Sequence, residues 1–156
     1  MHVLFVCTGN TCRSPLAAAI LADRLAKAGV AGIEVSSAGI SPIPDAPASE
    51  GSYLVAMEHG LDLSAHRARL LTPSLVKQAD RILTMGGSHL ARVAGLGGQE
   101  KSELLGHYAG VNGRAAEVAD PIGGPLDDYR ATYDQIAAFL DAALPRLLRE
   151  AASAGR

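Results

Sequence analysis

Short apolar runs alternate with longer amphipathic segments along this chain. The runs are rich in Val, Ile, Leu and Phe and are bounded by glycine or polar turns, which is typical of strands buried on both faces of a parallel sheet. The pattern predicts four strands, at residues 2–6, 33–37, 81–85 and 103–108. Because helical segments separate them, the strands are expected to be joined by crossover connections.

The segments between the strands have the spacing and end signals of helices. Pro15 stands near the start of the first segment, Gly29 follows its end, and Thr72 is suited to cap another. Helices are predicted at residues 15–28, 48–59, 73–78, 87–93 and 126–152, with a kink at Pro145 in the last. The alternation predicts one α/β domain over residues 1–156, with a parallel sheet covered by helices on both faces.

Composition excludes several classes of partner. Of 156 residues, 48% are hydrophobic and 19% charged, as in a packed domain, and the formal net charge is −2. No global field attracts nucleic acid or an anionic membrane, so any affinity for phosphate must be local. Aromatic residues are only 4% of the chain, too few for the stacking surface of a single-stranded nucleic-acid binder. No apolar stretch is long enough for a signal peptide or a membrane span. A cytoplasmic protein without nucleic-acid or membrane partners is expected.

The segment between the first predicted strand and the first helix is suited to bind an anion. Residues 7–14, called the phosphate loop below, read Cys-Thr-Gly-Asn-Thr-Cys-Arg-Ser. Gly9 and Asn10 tolerate a curl that turns successive N–H groups inward, and the helix N-terminus adds partial positive charge. Arg13 supplies a planar fork for two phosphate oxygens. Ligands of doubly wound proteins bind at this end of the strands.

Cys7 lies at the floor of this cradle. The groups that would bind a phosphoryl group, helix N-terminus and guanidinium, also favour the thiolate form of a cysteine. The spacing Cys-x5-Arg therefore predicts covalent phosphoryl transfer with Cys7 as nucleophile and Arg13 as clamp. The residues alone leave open that Cys7 packs as a small apolar side chain and that the loop binds phosphate without chemistry.

No metal or organic cofactor is expected. Cys7 and Cys12 are too few and too close in sequence for a structural disulfide or a structural zinc site. Metal-ligand spacing is also lacking among four histidines: His2, His59, His89 and His107.

Several motifs resemble those of one family, the low molecular weight protein tyrosine phosphatases. Val-Cys-Thr-Gly-Asn-Thr-Cys-Arg-Ser-Pro at 6–15 matches the family's phosphate loop. Four more segments fall where the family would place them: Ser-Ser-Ala-Gly at 36–39, Ser-Ala-His-Arg-Ala-Arg at 64–69, Ala-Asp-Arg-Ile-Leu-Thr-Met at 79–85 and Asp-Pro-Ile-Gly-Gly at 120–124. The resemblance covers essentially the whole chain and implies a three-layer α/β sandwich with a four-stranded parallel sheet in the order 2-1-3-4.

The resemblance implies a role for each residue of the reaction. Cys7 would attack phosphorus, Arg13 would bind the equatorial oxygens, and Asp120 would act as general acid and then as general base. Without the resemblance, Asp120 before Pro121 is more simply interpreted as an Asx turn in a loop.

Other residues would shape the loop. The resemblance implies that Ser14 hydrogen-bonds the thiolate and that Asn10 holds the loop, supported by Ser37 and His66. From the residues alone His66 is a packed or surface histidine. The remaining phosphate-binding residues would be Thr8, Gly9, Thr11 and Cys12.

Two further features have a packing alternative. The resemblance suggests a reversible disulfide between Cys7 and Cys12 that protects the nucleophile from over-oxidation, whereas Cys12 can equally serve packing. Tyr129 and Tyr133 resemble tyrosines that are phosphorylated in some relatives, and here we favour one helical face packed on the body of the protein.

Two positions depart from the family's phosphotyrosine pattern. Thr11 stands where an aliphatic residue such as Ile is usual, and Ile122 where an aromatic residue normally packs on the phenol ring. Thr11 is similar to the loop residue of the bacterial protein arginine phosphatases, the branch that the chain resembles most. Asp120 is also able to hydrogen-bond a guanidinium. The favoured substrate is phosphoarginine in a protein, and the alternative is phosphotyrosine.

Three other functions are weighed against these. Arsenate reductases share the fold and loop but use a third cysteine, which this chain lacks. A non-catalytic phosphate-binding module would need neither thiolate nor acid, and a small acyl or sugar phosphate stays open as a substrate. The expected partner is a phosphorylated protein, and a monomer is favoured.

Overall fold

Four parallel strands form the centre of the molecule. The computed structural model describes residues 1–155. The strands are β1 His2–Cys7, β2 Glu34–Gly39, β3 Arg81–Thr84 and β4 Ser102–Leu104. Their order is β2-β1-β3-β4 and all three pairings are parallel, so the predicted sheet is confirmed. Within it Phe5 pairs with Ser37 on one side and Leu83 on the other.

Six helices follow and connect the strands: α1 Arg13–Lys27, α2 Glu50–Glu58, α3 Pro73–Gln78, α4 Gly87–Gly95, α5 Leu105–Tyr108 and α6 Leu126–Ala154. The first begins at Arg13, two residues before the predicted start, because Pro15 fits a first turn whose N–H groups have no intrahelical partner. Pro145 does not interrupt α6, which continues to Ala154. No helix in the described part of the chain is long and apolar enough to span a membrane.

Helices cover both faces of the sheet, as predicted. Val3 and Phe5 of β1 belong to an apolar cluster that includes residues of α1, α2, α5 and α6. Leu4 and Val6 point to the other side and share a cluster with Val76 of α3 and other buried residues. Because both faces of β1 are buried, its sequence is a continuous apolar run rather than an alternating one.

The predicted strand at 103–108 is wrong beyond Leu104. β4 pairs only with β3, over three residues, and the chain then turns into α5. Gly106 explains the turn, since a Cβ atom there would lie 2.3 Å from the carbonyl oxygen of Ala116. Leu105 and Tyr108 are buried by this packing, so tertiary contact overrides the local apolar pattern.

The carboxyl ends of β1 and β2 are joined tightly at the edge where the phosphate loop begins. Ile40 N donates to Cys7 O (3.0 Å) and Ser41 N to Thr8 O (2.9 Å). A Cβ atom at position 39 would lie 2.6 Å from Thr8 O, so only glycine allows Gly39 to approach so closely. The loop after β2 is thereby held beside the phosphate loop.

Candidate active site

Asn10 holds the curl of the phosphate loop. Its φ of 56° lies in the left-handed region, which Asn tolerates better than most residues, and its side chain is fully buried. Nδ2 donates to Ser14 Oγ (2.8 Å) and to Ser37 Oγ (2.9 Å), and Oδ1 accepts from Arg69 N (3.0 Å). His66 Nε2 donates to the Asn10 carbonyl at 2.6 Å. The structure brings Asn10 together with both residues expected to support it, Ser37 and His66.

Two details of this brace are absent from the sequence analysis. Arg69, to which the sequence analysis gave no role, donates from its backbone N to Asn10 Oδ1 and from Nε to Ser37 O (2.9 Å). Burial lowers the pKa of His66, although its hydrogen bond to Asn10 opposes the shift. A neutral ring can still donate from Nε2, so the brace does not require a charge.

Replacing Asn10 with alanine is expected to lower the free energy of unfolding by about 3 kcal/mol. The variant loses the three hydrogen bonds of the Asn10 side chain. It also places alanine in the left-handed region, which asparagine tolerates better because its side chain can hydrogen-bond to the nearby backbone. Asn10→Gly is the matched control, because it loses the same hydrogen bonds but glycine adopts the left-handed conformation without strain. We expect its free energy of unfolding to fall by about 1 kcal/mol less than that of Asn10→Ala. Denaturant unfolding measures both, and a loss below about 0.5 kcal/mol in each would contradict the brace.

The Cys7 sulfur lies at the buried end of the loop. The side chain is 2% exposed and Sγ is 3.0 Å from Ser14 Oγ. Ser14 Oγ already accepts a hydrogen bond from Asn10, so its single hydroxyl proton is free to point to the sulfur. A thiolate at this position would accept that proton as a charge-assisted hydrogen bond.

Arg13 is buried beside the loop with part of its donor set unused. Nη1 donates to Val118 O (2.9 Å), and Nη2 donates to Thr8 Oγ1 at 3.4 Å. Nε is buried and has no hydrogen-bond partner among residues 1–155. Cys12 precedes α1 without a side-chain cap, which leaves the first-turn N–H groups of the helix for an anion. The site is therefore electropositive although the protein is not.

Asp120 faces Arg13 from the segment 117–124, called the acid loop below. Its Oδ2 lies 3.5 Å from Arg13 Nη2, while Oδ1 accepts from Ile122 N at 3.1 Å. One oxygen thus makes the Asx turn that the residues alone suggest, and the other reaches the site. Val118 anchors the acid loop, since its N donates to Met85 O at the end of β3 (2.8 Å).

These groups surround a cavity of about 320 Å³. Seven of its lining residues are those predicted for catalysis or phosphate binding, namely Cys7, Thr8, Gly9, Thr11, Cys12, Arg13 and Asp120. Ile122 also lines it, together with Ser41, Ile43 and Ala46 from the loop after β2, which sequence reasoning missed. Ile43 is 78% and Ile122 65% exposed, so two aliphatic side chains stand at the mouth.

Cys12 lines the cavity, and Tyr129 of α6 lies beside it. Cys12 Sγ donates to Ser49 Oγ (3.1 Å), whose own proton goes to Thr11 O. Both cysteines are free thiols, and their disulfide stays a prediction. Tyr129 and Tyr133 are buried, as the packing interpretation predicts. The Tyr129 hydroxyl lies 3.9 Å from Cys12 Sγ, and burial raises the pKa of Tyr129.

His89 is a site residue without a signal in the sequence. It lies in the first turn of α4, is 2% exposed, and places Nε2 2.8 Å from Thr8 Oγ1. Burial, assisted by the charge of Arg13, lowers the pKa of His89 to about 4. The ring is therefore neutral at pH 7. No three His, Cys, Asp or Glu side chains in the part of the chain described here are grouped to hold a metal ion.

Known proteins resemble this chain over nearly its whole length. Residues 2–153 match the family described as low molecular weight phosphotyrosine protein phosphatase. The protein-arginine-phosphatase of Geobacillus stearothermophilus is 34% identical over 149 residues, which are 96% of this chain and 97% of that protein. The low molecular weight protein-tyrosine-phosphatase PtpB of Staphylococcus haemolyticus is 35% identical over 87% of this chain and 92% of that protein.

A solved structure supports the fold. The YwlE arginine phosphatase, in a mutant with serine in place of cysteine and a phosphorylated active-site serine, superposes with a TM-score of 0.87. It is 33% identical and covers 94% of this chain and 95% of its own. The chain is thus similar to phosphatases named for two different substrates.

Proposed function

The chain belongs to the low molecular weight phosphotyrosine protein phosphatase family, and from that premise we propose that it hydrolyses phosphoarginine in proteins through a covalent intermediate on Cys7. It is a protein phosphatase by family, and the substrate and the residue roles are the proposal. The observation that carries it is one cavity in which the Cys7 sulfur, the Arg13 guanidinium and the Asp120 carboxylate meet.

In the first step the Cys7 thiolate attacks phosphorus. The S–P bond forms while the P–N bond to the arginine side chain breaks, and Asp120, protonated, transfers its proton to the departing nitrogen. Arg13 and the loop N–H groups bind the equatorial oxygens, where negative charge is held through the transition state. The products are a phosphocysteine and the protonated, unphosphorylated arginine side chain of the substrate.

In the second step water attacks the phosphocysteine. Asp120, now ionised, takes a proton from that water, the O–P bond forms and the S–P bond breaks. Ser14 stabilises the departing thiolate, because its hydroxyl lies 3.0 Å from Cys7 Sγ and donates to the returning charge. Inorganic phosphate leaves and the protonated acid is restored.

Three features of the cavity support phosphoarginine. The walls at the mouth are the aliphatic Ile43 and Ile122, which suit the methylene stem of arginine and offer no ring to stack on a phenol. Thr11 lines the cavity with a hydroxyl group, whereas an apolar side chain at this position would suit the phenyl ring of phosphotyrosine. Asp120 is partly exposed and can accept hydrogen bonds from the guanidinium of the substrate.

Phosphotyrosine is the second candidate. A relative named as a tyrosine phosphatase is 35% identical to this chain, and one named as an arginine phosphatase is 34% identical. Overall similarity therefore does not separate the two substrates. Side-by-side phosphate release from phosphoarginine, phosphotyrosine and phosphoserine peptides, with Cys7→Ser as blank, tests the proposal. A wild-type protein that prefers phosphotyrosine would reverse it.

Replacing Thr11 with isoleucine is expected to shift the ratio of kcat/KM for phosphoarginine over phosphotyrosine peptides toward tyrosine by at least about tenfold. The change removes a hydroxyl from the cavity and adds apolar surface that a phenyl ring can contact. Thr11→Val is the matched control, since it removes the hydroxyl at nearly constant volume. An unchanged ratio in both variants would show that Thr11 does not select the substrate.

A further inference from the structure

His89 reaches the phosphate loop from a different strand connection. β1 and β3 are neighbours and parallel, so Thr8, just after β1, and His89, soon after β3, meet at one edge of the sheet. The two residues are 81 positions apart in the chain, and Nε2 lies 2.8 Å from Thr8 Oγ1. The same hydroxyl accepts from Arg13 Nη2 at 3.4 Å. Thr8 Oγ1 therefore contacts both the imidazole and the guanidinium.

Only one hydrogen-bond direction is fixed by the chemistry of the three groups. A guanidinium has donors but no acceptor, so the Thr8 oxygen accepts from Arg13. With Nε2 unprotonated the ring accepts the Thr8 hydroxyl proton, and with Nε2 protonated it donates to the second lone pair of the same oxygen. In both tautomers Thr8 keeps a lone pair for Arg13, while His89 Nδ1 is buried without a partner among residues 1–155.

The charges around His89 favour this neutral state. The groups that face the ring are Arg13 from α1, Glu117 at the start of the acid loop, and Asp120 further along it. Burial and the Arg13 charge lower the pKa of His89, the two carboxylates raise it, and the outcome is about 4. A protonated ring would place a second cation beside Arg13 and would be unable to accept the Thr8 hydroxyl proton.

We propose that His89 is a positioning residue, which acts through Thr8 on Arg13, the residue proposed to bind the phosphate oxygens. The hydrogen bond between its Nε2 and the Thr8 hydroxyl holds that oxygen where it orients Arg13, whose Nη1 donates to Val118 O. The guanidinium is then held by hydrogen bonds to Val118 and Thr8, beside Asp120, before substrate arrives, and Nε, which has no protein partner among residues 1–155, is left to donate to a phosphate oxygen. In catalysis this role rests on the phosphatase function proposed above.

Two amide variants test the role of one ring nitrogen. Gln at position 89 places an acceptor near the site of Nε2, whereas Asn reaches only the site of Nδ1. We expect His89→Asn to weaken binding of inorganic phosphate and to raise KM by about tenfold, and His89→Gln to stay within about threefold of wild type at pH 7. Thr8→Val should match the Asn variant, and Thr8→Val combined with His89→Asn should add no further loss. His107→Gln, on the exposed side of α5, is the matched control.

A pH series adds a readout that a merely structural role would not move. As the pH falls toward about 4, the phosphate affinity of wild type should depart from that of His89→Gln, because only the histidine gains a proton. Equal behaviour of the Asn and Gln variants, whether both normal or both impaired, would overturn the positioning role, as would identical pH profiles of wild type and His89→Gln.

Binding of inorganic phosphate, measured by calorimetric titration, separates this inference from the proposed function. A wild type that releases no phosphate from any peptide would overturn the function, and the phosphate-binding series would still decide the role of His89. An active wild type with a normal Asn variant would overturn only the inference.

Discussion

Cys7→Ser protein is expected to release phosphate from phosphoarginine peptides on the order of 10⁴-fold more slowly than wild type, or not measurably. Serine is nearly isosteric and can keep the contact with Ser14, but its hydroxyl is not ionised at neutral pH. The variant therefore retains the cradle and lacks the nucleophile. Steady-state phosphate release measures the effect.

Phosphate binding supplies the control for this variant. The loop N–H groups and Arg13 are unchanged, so inorganic phosphate should bind Cys7→Ser at least as tightly as wild type. Calorimetric titration tests this expectation. Cys12→Ser is the matched comparison, because Cys12 donates to Ser49 and is not the proposed nucleophile. Substantial turnover by Cys7→Ser would eliminate the covalent mechanism, and lost phosphate binding would indicate a damaged loop.

Asp120→Asn is expected to lower kcat by about 10²- to 10⁴-fold with KM unchanged or reduced. The amide oxygen can still accept from Ile122 N, so the turn of the acid loop is kept, but no proton can be transferred. Removing a carboxylate 3.5 Å from Arg13 also leaves that cation more available to the anionic substrate. Steady-state kinetics on phosphoarginine peptides separates kcat from KM.

The leaving group distinguishes proton transfer from a structural defect. An aryl phosphate with an acidic phenol needs no proton on its leaving oxygen, so the deficit of Asp120→Asn in the first-turnover burst should nearly vanish with such a substrate. Asp134→Asn, exposed on α6, should behave as wild type throughout. A deficit of equal size for good and poor leaving groups would exclude Asp120 as general acid.

The local sequence predicted the part of the site that is formed by residues close together in the chain. The strand end, the turn-forming Gly9 and Asn10, and the start of α1 follow one another directly, so Cys7 and Arg13 converge on one cradle without knowledge of the rest of the fold. The acid is different. Its residue type and the following proline indicated only a turn, and the resemblance to a family was needed to assign Asp120 a catalytic role.

Contacts between distant segments account for what was missed. Arg69, Ile43 and His89 lie in loops or a helix turn whose composition is ordinary, and each reaches the cavity or the phosphate loop through the sheet order. The predicted strand at 103–108 was wrong for a similar reason. The close packing of Gly106 against Ala116, rather than local propensity, determines that the chain forms α5 there.

By itself the sequence determined the α/β alternation, the buried central strand and a curled loop with a cysteine at its floor, since each depends on apolar periodicity or on residues a few positions apart. Only the tertiary structure decided which groups complete the cradle: the Asn10 brace, the aliphatic mouth, the 3.5 Å approach of Asp120 to Arg13 and the contact of His89 with Thr8. The physical reason is that these contacts join segments up to 107 positions apart (from 13 to 120), which meet only after parallel strands have aligned their carboxyl ends at one edge of the sheet.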